Sequence, residues 1–115
     1  MKIMEFMKKK IILLLPITFM LFSSLTVAAE DEKKIYDKKC ASCHGKDGKG
    51  NAAMIKMLKA DASLLDLQDK ATLDKSDEEL ISIIFKGVNK MPAYEKELKD
   101  EEIKGIITHI RSLSK

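Results

Sequence analysis

The clearest hydrophobic periodicity in the chain lies at its end, in KDEEIKGIITHIRSLSK (residues 99–115). Apolar residues recur there at helical spacing and form one stripe: Ile103, Ile106, Ile107, Ile110 and Leu113. This period predicts an amphipathic helix, although isoleucine by itself favours strands. We expect Asp100 to be the N-cap, with Arg111 and Lys115 at the negative end of the helix dipole.

A second helix is predicted for SDEELISIIFKG (76–87). Ser76, followed three positions later by Glu79, has the pattern of a capping box, which satisfies two free backbone N–H groups at a helix start. Three aliphatic residues form the apolar stripe: Leu80, Ile83 and Ile84. Gly87 indicates the end of the helix, and VNKMPAY is expected to be a loop because proline cannot continue a helix.

Three weaker segments also favour helix. EDEKKIYDKK (30–39) has acids in its first turn and lysines in its last, which matches the helix dipole. The pieces 52–60 and 62–68 are short helical candidates that need packing to be stable. Glycines mark a loop at 45–50, and no segment alternates strictly between apolar and polar residues. The chain is therefore expected to form one all-α domain without a sheet.

Residues 1–29 have the pattern of a secretory signal peptide. Lysines precede the apolar run IILLLPITFMLF, and the small residues Val27-Ala28-Ala29 follow it. We expect residues 1–29 to be removed and residues 30–115 to be the exported, periplasmic domain. The alternative is an uncleaved anchor over 11–29, since about 19 residues can just span a bilayer. Only in that case is contact with a membrane expected.

Removal of that segment changes the charge balance. The whole chain has 21 Lys+Arg and 18 Asp+Glu, and residues 30–115 contain 17 of each. A near-neutral domain does not indicate nucleic acid as a partner. Three aromatic residues remain in this part: Tyr36, Phe85 and Tyr94. A domain this small with so few aromatics needs another large apolar body, or a covalent staple, in its core.

The motif CASCH (40–44) contains the only two cysteines, and His44 directly follows the second. In an exported protein a cysteine pair is usually a disulfide, but that would leave His44 unexplained. A thioredoxin-like dithiol needs a βαβ scaffold, and no strands are predicted. Zinc needs four ligands, and Cys40, Cys43, His44 and His109 would just suffice, although adjacent Cys43 and His44 make tetrahedral ligation awkward.

C-x-x-C-H is the attachment signature of c-type haem. Two thiols three positions apart on a helical turn reach the two vinyl groups on one edge of the porphyrin. The imidazole of the next residue then projects beneath the ring towards the iron. The motif therefore predicts one haem c with its iron, attached through thioethers to Cys40 and Cys43. Such a cofactor also supplies the large apolar body that the core requires.

Iron bound to His44 would have one further axial position. The candidate ligands are His109, Met54, Met57 and Met91. Met54 and Met57 lie among apolar helical residues, where packing is the simpler interpretation, and His109 fits a half-buried helical histidine. Met91 differs because it lies in a predicted loop, where Pro92 stiffens the backbone directly after it.

Taken together, CASCHG, KMPAY and the terminal EEIKGIITHIRSL resemble a class I cytochrome c of the small bacterial kind. The resemblance covers residues 31–115. It implies a small cytochrome c fold of three to five helices around one haem, with the first and last helices crossing. It also implies thioethers from Cys40 and Cys43 and axial ligation by His44 and Met91, a ligand pair that raises the reduction potential.

The chain departs from the family pattern at three places. Glu32 stands where the family often has a helix-crossing glycine, and we hypothesise that Gly105 supplies the close approach instead. His109 stands where a terminal-helix aromatic usually packs, with Tyr36 as its partner by analogy. The proline whose carbonyl holds the ring N–H of His44 has no match, so another carbonyl within residues 46–75 is expected to accept that bond.

A haem with both axial positions filled favours electron transfer over catalysis. We therefore expect a soluble single-haem carrier of one electron between respiratory redox proteins outside the inner membrane, not an enzyme. The alternatives are a membrane-anchored haem subunit of a larger respiratory enzyme and a five-coordinate sensor or peroxidase-like protein. Five lysines flank the ligand segments and suggest a basic rim for acidic partners: Lys46, Lys49, Lys86, Lys90 and Lys96.

Overall fold

A computed structural model describes the backbone of residues 27–115 and the side chains from residue 31 onward. The predicted signal segment lies outside this part, apart from the backbone of its last residues. The described residues form seven helices: α1 Val27–Lys39, α2 Ala41–His44, α3 Ala52–Leu58, α4 Ala62–Leu65, α5 Lys70–Leu73, α6 Asp77–Lys86 and α7 Asp100–Ser112. Three of these are single turns of four residues, so four longer helices carry the fold.

The first and last helices cross, and their crossing is the centre of the core. Tyr36 of α1 and Ile103 and Ile106 of α7 are completely buried there. Gly105 is also buried, and a methyl group added to it would lie 2.7 Å from Cγ of Glu32. The three atoms nearest to such a methyl group all belong to the Glu32 side chain, which lies over Gly105, so a close approach of the two helix backbones at Gly105 stays a prediction.

Helix α6 packs against α7 and adds Leu80 and Ile84 to the same core. The capping box at its start is confirmed, since the Ser76 Oγ accepts from the Glu79 N–H at 3.2 Å and the Glu79 carboxylate accepts from the Ser76 N–H at 2.8 Å. Arg111 joins α7 to this region through Asp77, with its Nε 2.8 Å from the carboxylate. The terminal helices and α6 thus form one packed frame.

Two details of the predicted helices were wrong. Asp100 is the first residue of α7 rather than its cap, because the preceding Lys99 N–H donates to the Glu102 carboxylate at 3.3 Å. The candidate helix 62–68 ends early because the Asp66 carboxylate accepts from the Gln68 N–H at 2.8 Å, which favours a turn.

The sequence did not predict the short helix α5, which follows that turn. Its N-cap is Asp69, whose carboxylate accepts from the Thr72 N–H at 2.8 Å. A helix of a single turn has too few positions to show a hydrophobic period.

The absence of a sheet was expected, and within residues 27–115 the only β-type pairing is an isolated bridge between Val88 and Met91. The all-α fold class is confirmed for the described residues. Among the helices of the described part of the chain, none is both long enough and apolar enough to cross a membrane.

Candidate functional site

The cysteine motif lies at the junction of α1 and α2. The Cys40 N–H donates to the Tyr36 carbonyl at 2.8 Å, and the His44 N–H donates to the Cys40 carbonyl at 3.0 Å. The backbone is therefore helical through the motif, which confirms that Cys40, Cys43 and His44 share about one helical turn. Cys40 and Cys43 are free thiols that are not joined to each other.

His44 is buried, with 8% of its surface exposed. Its Nδ1 lies 3.0 Å from the carbonyl oxygen of Leu65. A carbonyl can only accept, so Nδ1 carries the proton and Nε2 keeps its lone pair. A histidine held in this tautomer is prepared to bind a metal through Nε2. The sequence placed the carbonyl that accepts from His44 within residues 46–75 but could not identify it. The structure shows that it belongs to Leu65.

Burial also changes the chemistry of the first thiol. Loss of hydration, and secondarily the proximity of Cys43, raise the pKa of Cys40 to about 11. Before attachment to a cofactor, the Cys40 thiol therefore stays protonated at neutral pH. Thiols in this state do not have the lowered pKa that is typical of a redox-active dithiol.

Two adjoining cavities, of about 380 and 180 Å³, lie beside the motif. Both are bordered by Cys40, His44, Leu64, Val88 and Met91, and Cys43 borders the larger one. The larger volume is within the usual range for a small-molecule or cofactor site. An apolar cleft that is lined by His44 and Met91 as well as by Cys40 and Cys43 fits haem c.

Aliphatic side chains line the smaller cavity: Leu67, Leu80, Ile83, Ile84, Ile106 and Ile110. Several of these belong to the core around the helix crossing. The core is therefore continuous with the cleft, which supports the expectation that a large apolar group completes it.

Met91 lies in a tight turn after α6. Val88 and Met91 exchange two backbone hydrogen bonds, of 3.2 and 2.9 Å, and Asn89 between them has a φ of +50°. Gly87, which has a φ of +71°, precedes the turn, and a methyl group on it would lie 2.7 Å from the Met91 carbonyl oxygen. The position of Met91 therefore depends on a backbone conformation that favours glycine at residue 87.

The other candidate axial ligands lie elsewhere. Neither Met54 nor Met57 lines the two cavities, and Met57 is 67% exposed, which contradicts the interpretation of Met57 as a packing residue. His109 packs against Tyr36 at the helix crossing, with ring centroids 4.9 Å apart. It therefore occupies the expected aromatic position, and Met91 is the one candidate among the four that borders the cleft.

The lysines around the cleft differ from those that the sequence suggested. Of the five proposed for a basic rim, Lys90 lines a cavity, whereas Lys39, Lys59 and Lys75 were not predicted to do so. Lys59 and Lys39 reach the cleft because α1 and α3 both end at its mouth. Their position follows from how the helices pack, so the sequence carried no signal for it.

Comparison with known proteins supports the same assignment. The profile of the family described as "Cytochrome C oxidase, cbb3-type, subunit III" matches residues 27–110. One relative is the cbb3-type cytochrome c oxidase subunit CcoP of Azospirillum brasilense, to which the chain is 33% identical over 96 residues. This match covers 79% of this chain and 30% of that protein. The chain thus spans less than a third of the length of this relative.

Two cytochromes c6 match along much more of their own length. The cytochrome c6 of Nostoc sp. is 35% identical over 95 residues, which covers 77% of this chain and 76% of the relative. The cytochrome c6 of Thermostichus vulcanus is 34% identical over 110 residues, with coverage of 90% and 91%.

Proposed function

Because the chain belongs to the class I c-type cytochromes, whose cofactor is haem c with its iron, we propose that it carries single electrons as a soluble monohaem protein outside the inner membrane. In this proposal Cys40 and Cys43 form the thioethers, and His44 and Met91 are the axial ligands. The observation that carries it is that the cleft is bordered by all four residues at once.

The protein's own residues prepare the site for this role. Leu65 holds the imidazole of His44 in the tautomer that would bind iron, and the Val88–Met91 turn holds Met91 at the border of the same cleft. The bound haem supplies the one-electron redox couple. A soft sulfur ligand favours the ferrous state, and two protein ligands leave no open position for a substrate.

Spectra of the purified holoprotein test the ligand assignment. We expect haem that resists extraction with acidified acetone, together with the weak far-red band of ferric iron bound to methionine sulfur. Met91→Ala should abolish that band. Met57→Ala is the matched control, because Met57 is exposed and lies outside the cleft. A band that survives in Met91→Ala, or rapid binding of CO by the reduced wild type, would favour the five-coordinate alternative.

A soluble carrier is favoured because a cytochrome c6 aligns over 91% of its own length. The second candidate is a membrane-anchored haem subunit of a larger respiratory enzyme, which the matches to a cbb3-type oxidase subunit favour. Cell fractionation and intact mass distinguish the two. A mature chain that starts at Glu30 in the periplasmic fraction supports the carrier, and a chain in the membrane fraction that retains residues 1–29 supports the subunit.

The expected partners are redox proteins, with acidic docking surfaces as the finer proposal. Lys39, Lys59 and Lys90 line the larger cavity together with one acid, Asp61, so an approaching partner meets an excess of positive charge there. Lys39 is paired with Glu97, so Lys59 and Lys90 contribute most of this excess. Electron-transfer rates should fall with added salt, and Lys59→Gln should slow them more than Lys104→Gln, a variant on the outer face of α7. Rates that are insensitive to salt would contradict an acidic docking surface.

A further inference from the structure

One contact across the cleft is not explained by the proposed ligands. Lys90, which directly precedes Met91, donates from its Nζ to the carbonyl oxygen of Leu58 at 2.6 Å, over a separation of 32 residues. Leu58 is the last residue of α3, and Lys59 after it is in the left-handed conformation, with a φ of +50°. The last carbonyls of a helix lack partners within the helix and carry partial negative charge, which favours an ammonium group there.

This contact connects two walls of the cleft. Residues 58–65 form the His44 wall, because Leu65 at its end bonds the imidazole of His44. Residues 87–94 form the Met91 wall. Leu58 and Lys90 both line the larger cavity. The Lys90 side chain therefore bridges the cleft. It links the His44 wall, which orients one proposed axial ligand, to the Met91 wall, which carries the other.

The other hydrogen bonds that anchor the Met91 wall lead elsewhere. The Tyr94 N–H donates to the Ile84 carbonyl at 3.1 Å, and the Tyr94 hydroxyl donates to the Lys39 carbonyl at 3.0 Å. These bonds fasten the wall to α6 and to the end of α1. Among the hydrogen bonds found within residues 27–115, the one from Lys90 is the only link between the Met91 wall and the His44 wall.

We propose that Lys90 is a positioning residue, whose bond to Leu58 holds the two walls together and keeps the Met91 sulfur at the iron. The proposal rests on the assignment of Met91 as an axial ligand. An external ligand can replace Met91 only if the Met91 wall moves outward, and that movement breaks the bond to Leu58. The contact therefore favours an electron carrier over a protein whose iron opens readily to small molecules.

Imidazole binding to the ferric holoprotein tests this role, because imidazole must displace Met91. Lys90→Leu keeps part of the apolar stem, removes the ammonium group and adds no group that can bind iron. It should raise the apparent affinity for imidazole about fivefold, the scale expected for one exposed hydrogen bond to a charged group. Lys90→Arg retains a charged donor and should remain near the wild type.

Lys96→Leu is the matched control. It removes the same charge from an exposed lysine, five residues after Met91, that makes no hydrogen bond or ion pair in the described structure. Its affinity for imidazole should stay near that of the wild type. Equal affinities in Lys90→Leu and the wild type would overturn the proposal. Equal increases in Lys90→Leu and Lys96→Leu would also overturn it, because they would indicate a general effect of charge.

Two further readouts separate the possible failures. The unfolding midpoint of Lys90→Leu should change little, because the contact is exposed and neither Lys90 nor Leu58 belongs to the core around the helix crossing. If the variant lost enough global stability to explain its gain in imidazole affinity, the gain would reflect general destabilisation. That result would overturn the positioning role. Absence of the far-red band from the wild type would overturn both the Met91 assignment and this proposal. A wild-type band together with unchanged imidazole binding in Lys90→Leu would overturn this proposal alone.

Discussion

The crossing of α1 with α7 and the Met91 wall are stabilised in different ways. At the crossing, Tyr36, Ile103 and Ile106 have no exposed surface, and burial of apolar area accounts for their contribution. In the Met91 wall, Met91 is partly buried and its neighbours Lys90 and Pro92 are exposed. A tight turn and a few hydrogen bonds hold that wall in place.

This difference separates the stability of the domain from the stability of one ligand bond. Damage to the crossing should unfold the whole domain, because the core runs from the crossing into the cleft. Damage to the Met91 wall should release the methionine while the helices stay folded, since weakly packed loops open locally at low free-energy cost. Substitutions that affect one region and spare the other test this separation.

The largest effect on global stability is expected from Gly105→Leu. The added side chain must displace Glu32 from the helix crossing, where even a methyl group would lie 2.7 Å from its Cγ. Overpacking of this kind costs about 1–3 kcal/mol, so the melting temperature should fall. Thr108→Leu places the same side chain on the exposed face of α7 and serves as the control. An unchanged or raised melting temperature for Gly105→Leu would refute the close approach at this residue.

A smaller and local effect is expected from Gly87→Ala. Gly87 has a φ of +71° and a ψ of 169°, a backbone region essentially restricted to glycine, where a side chain costs about 1–3 kcal/mol. The new methyl group would also meet backbone atoms of Met91, Pro92 and Ala93. The far-red band should therefore weaken at temperatures well below global unfolding, as followed by far-UV circular dichroism. Lys86→Ala, at the exposed preceding residue, which lines neither cavity, should leave the band intact. Loss of the band only at global unfolding in Gly87→Ala would contradict a separate Met91 wall.

The smallest effect concerns His109 at the crossing. Burial lowers its pKa below the usual 6.5, and Asp37 and Glu32 oppose this shift while Lys33 adds to it. Its Nε2 is buried without a hydrogen-bond partner. Between pH 6.5 and the lowered pKa, the imidazole of His109 binds a proton in the unfolded chain but not in the folded chain. The free energy of unfolding therefore decreases as the pH falls from 6.5 towards the lowered pKa.

Comparison with His109→Phe isolates this contribution. Phenylalanine keeps an aromatic ring against Tyr36 and removes the titratable imidazole. The free energy of unfolding, measured by denaturant titration between pH 5 and pH 7.5, should fall more steeply with acid in the wild type than in the variant. Parallel curves would show that His109 does not contribute to the pH dependence of stability.

The sequence alone determined the frame of the fold and the chemistry of the site. Helix α7 was predictable because a strict apolar period must face a core, and α6 was predictable from its capping box and glycine stop. C-x-x-C-H indicated haem because the spacing of its thiols and imidazole suits few other cofactors. Such signals lie within one short segment, so no knowledge of packing is needed to interpret them.

The tertiary structure decided which distant groups meet. The Leu65 carbonyl that orients His44, the Leu58 carbonyl that receives Lys90, and the lysines at the mouth of the cleft could not be inferred from residue types. Every residue carries a backbone carbonyl, so the sequence does not distinguish the one that becomes a partner. The choice depends on where α3 and α4 end relative to the Met91 wall, which is set by packing around the cleft.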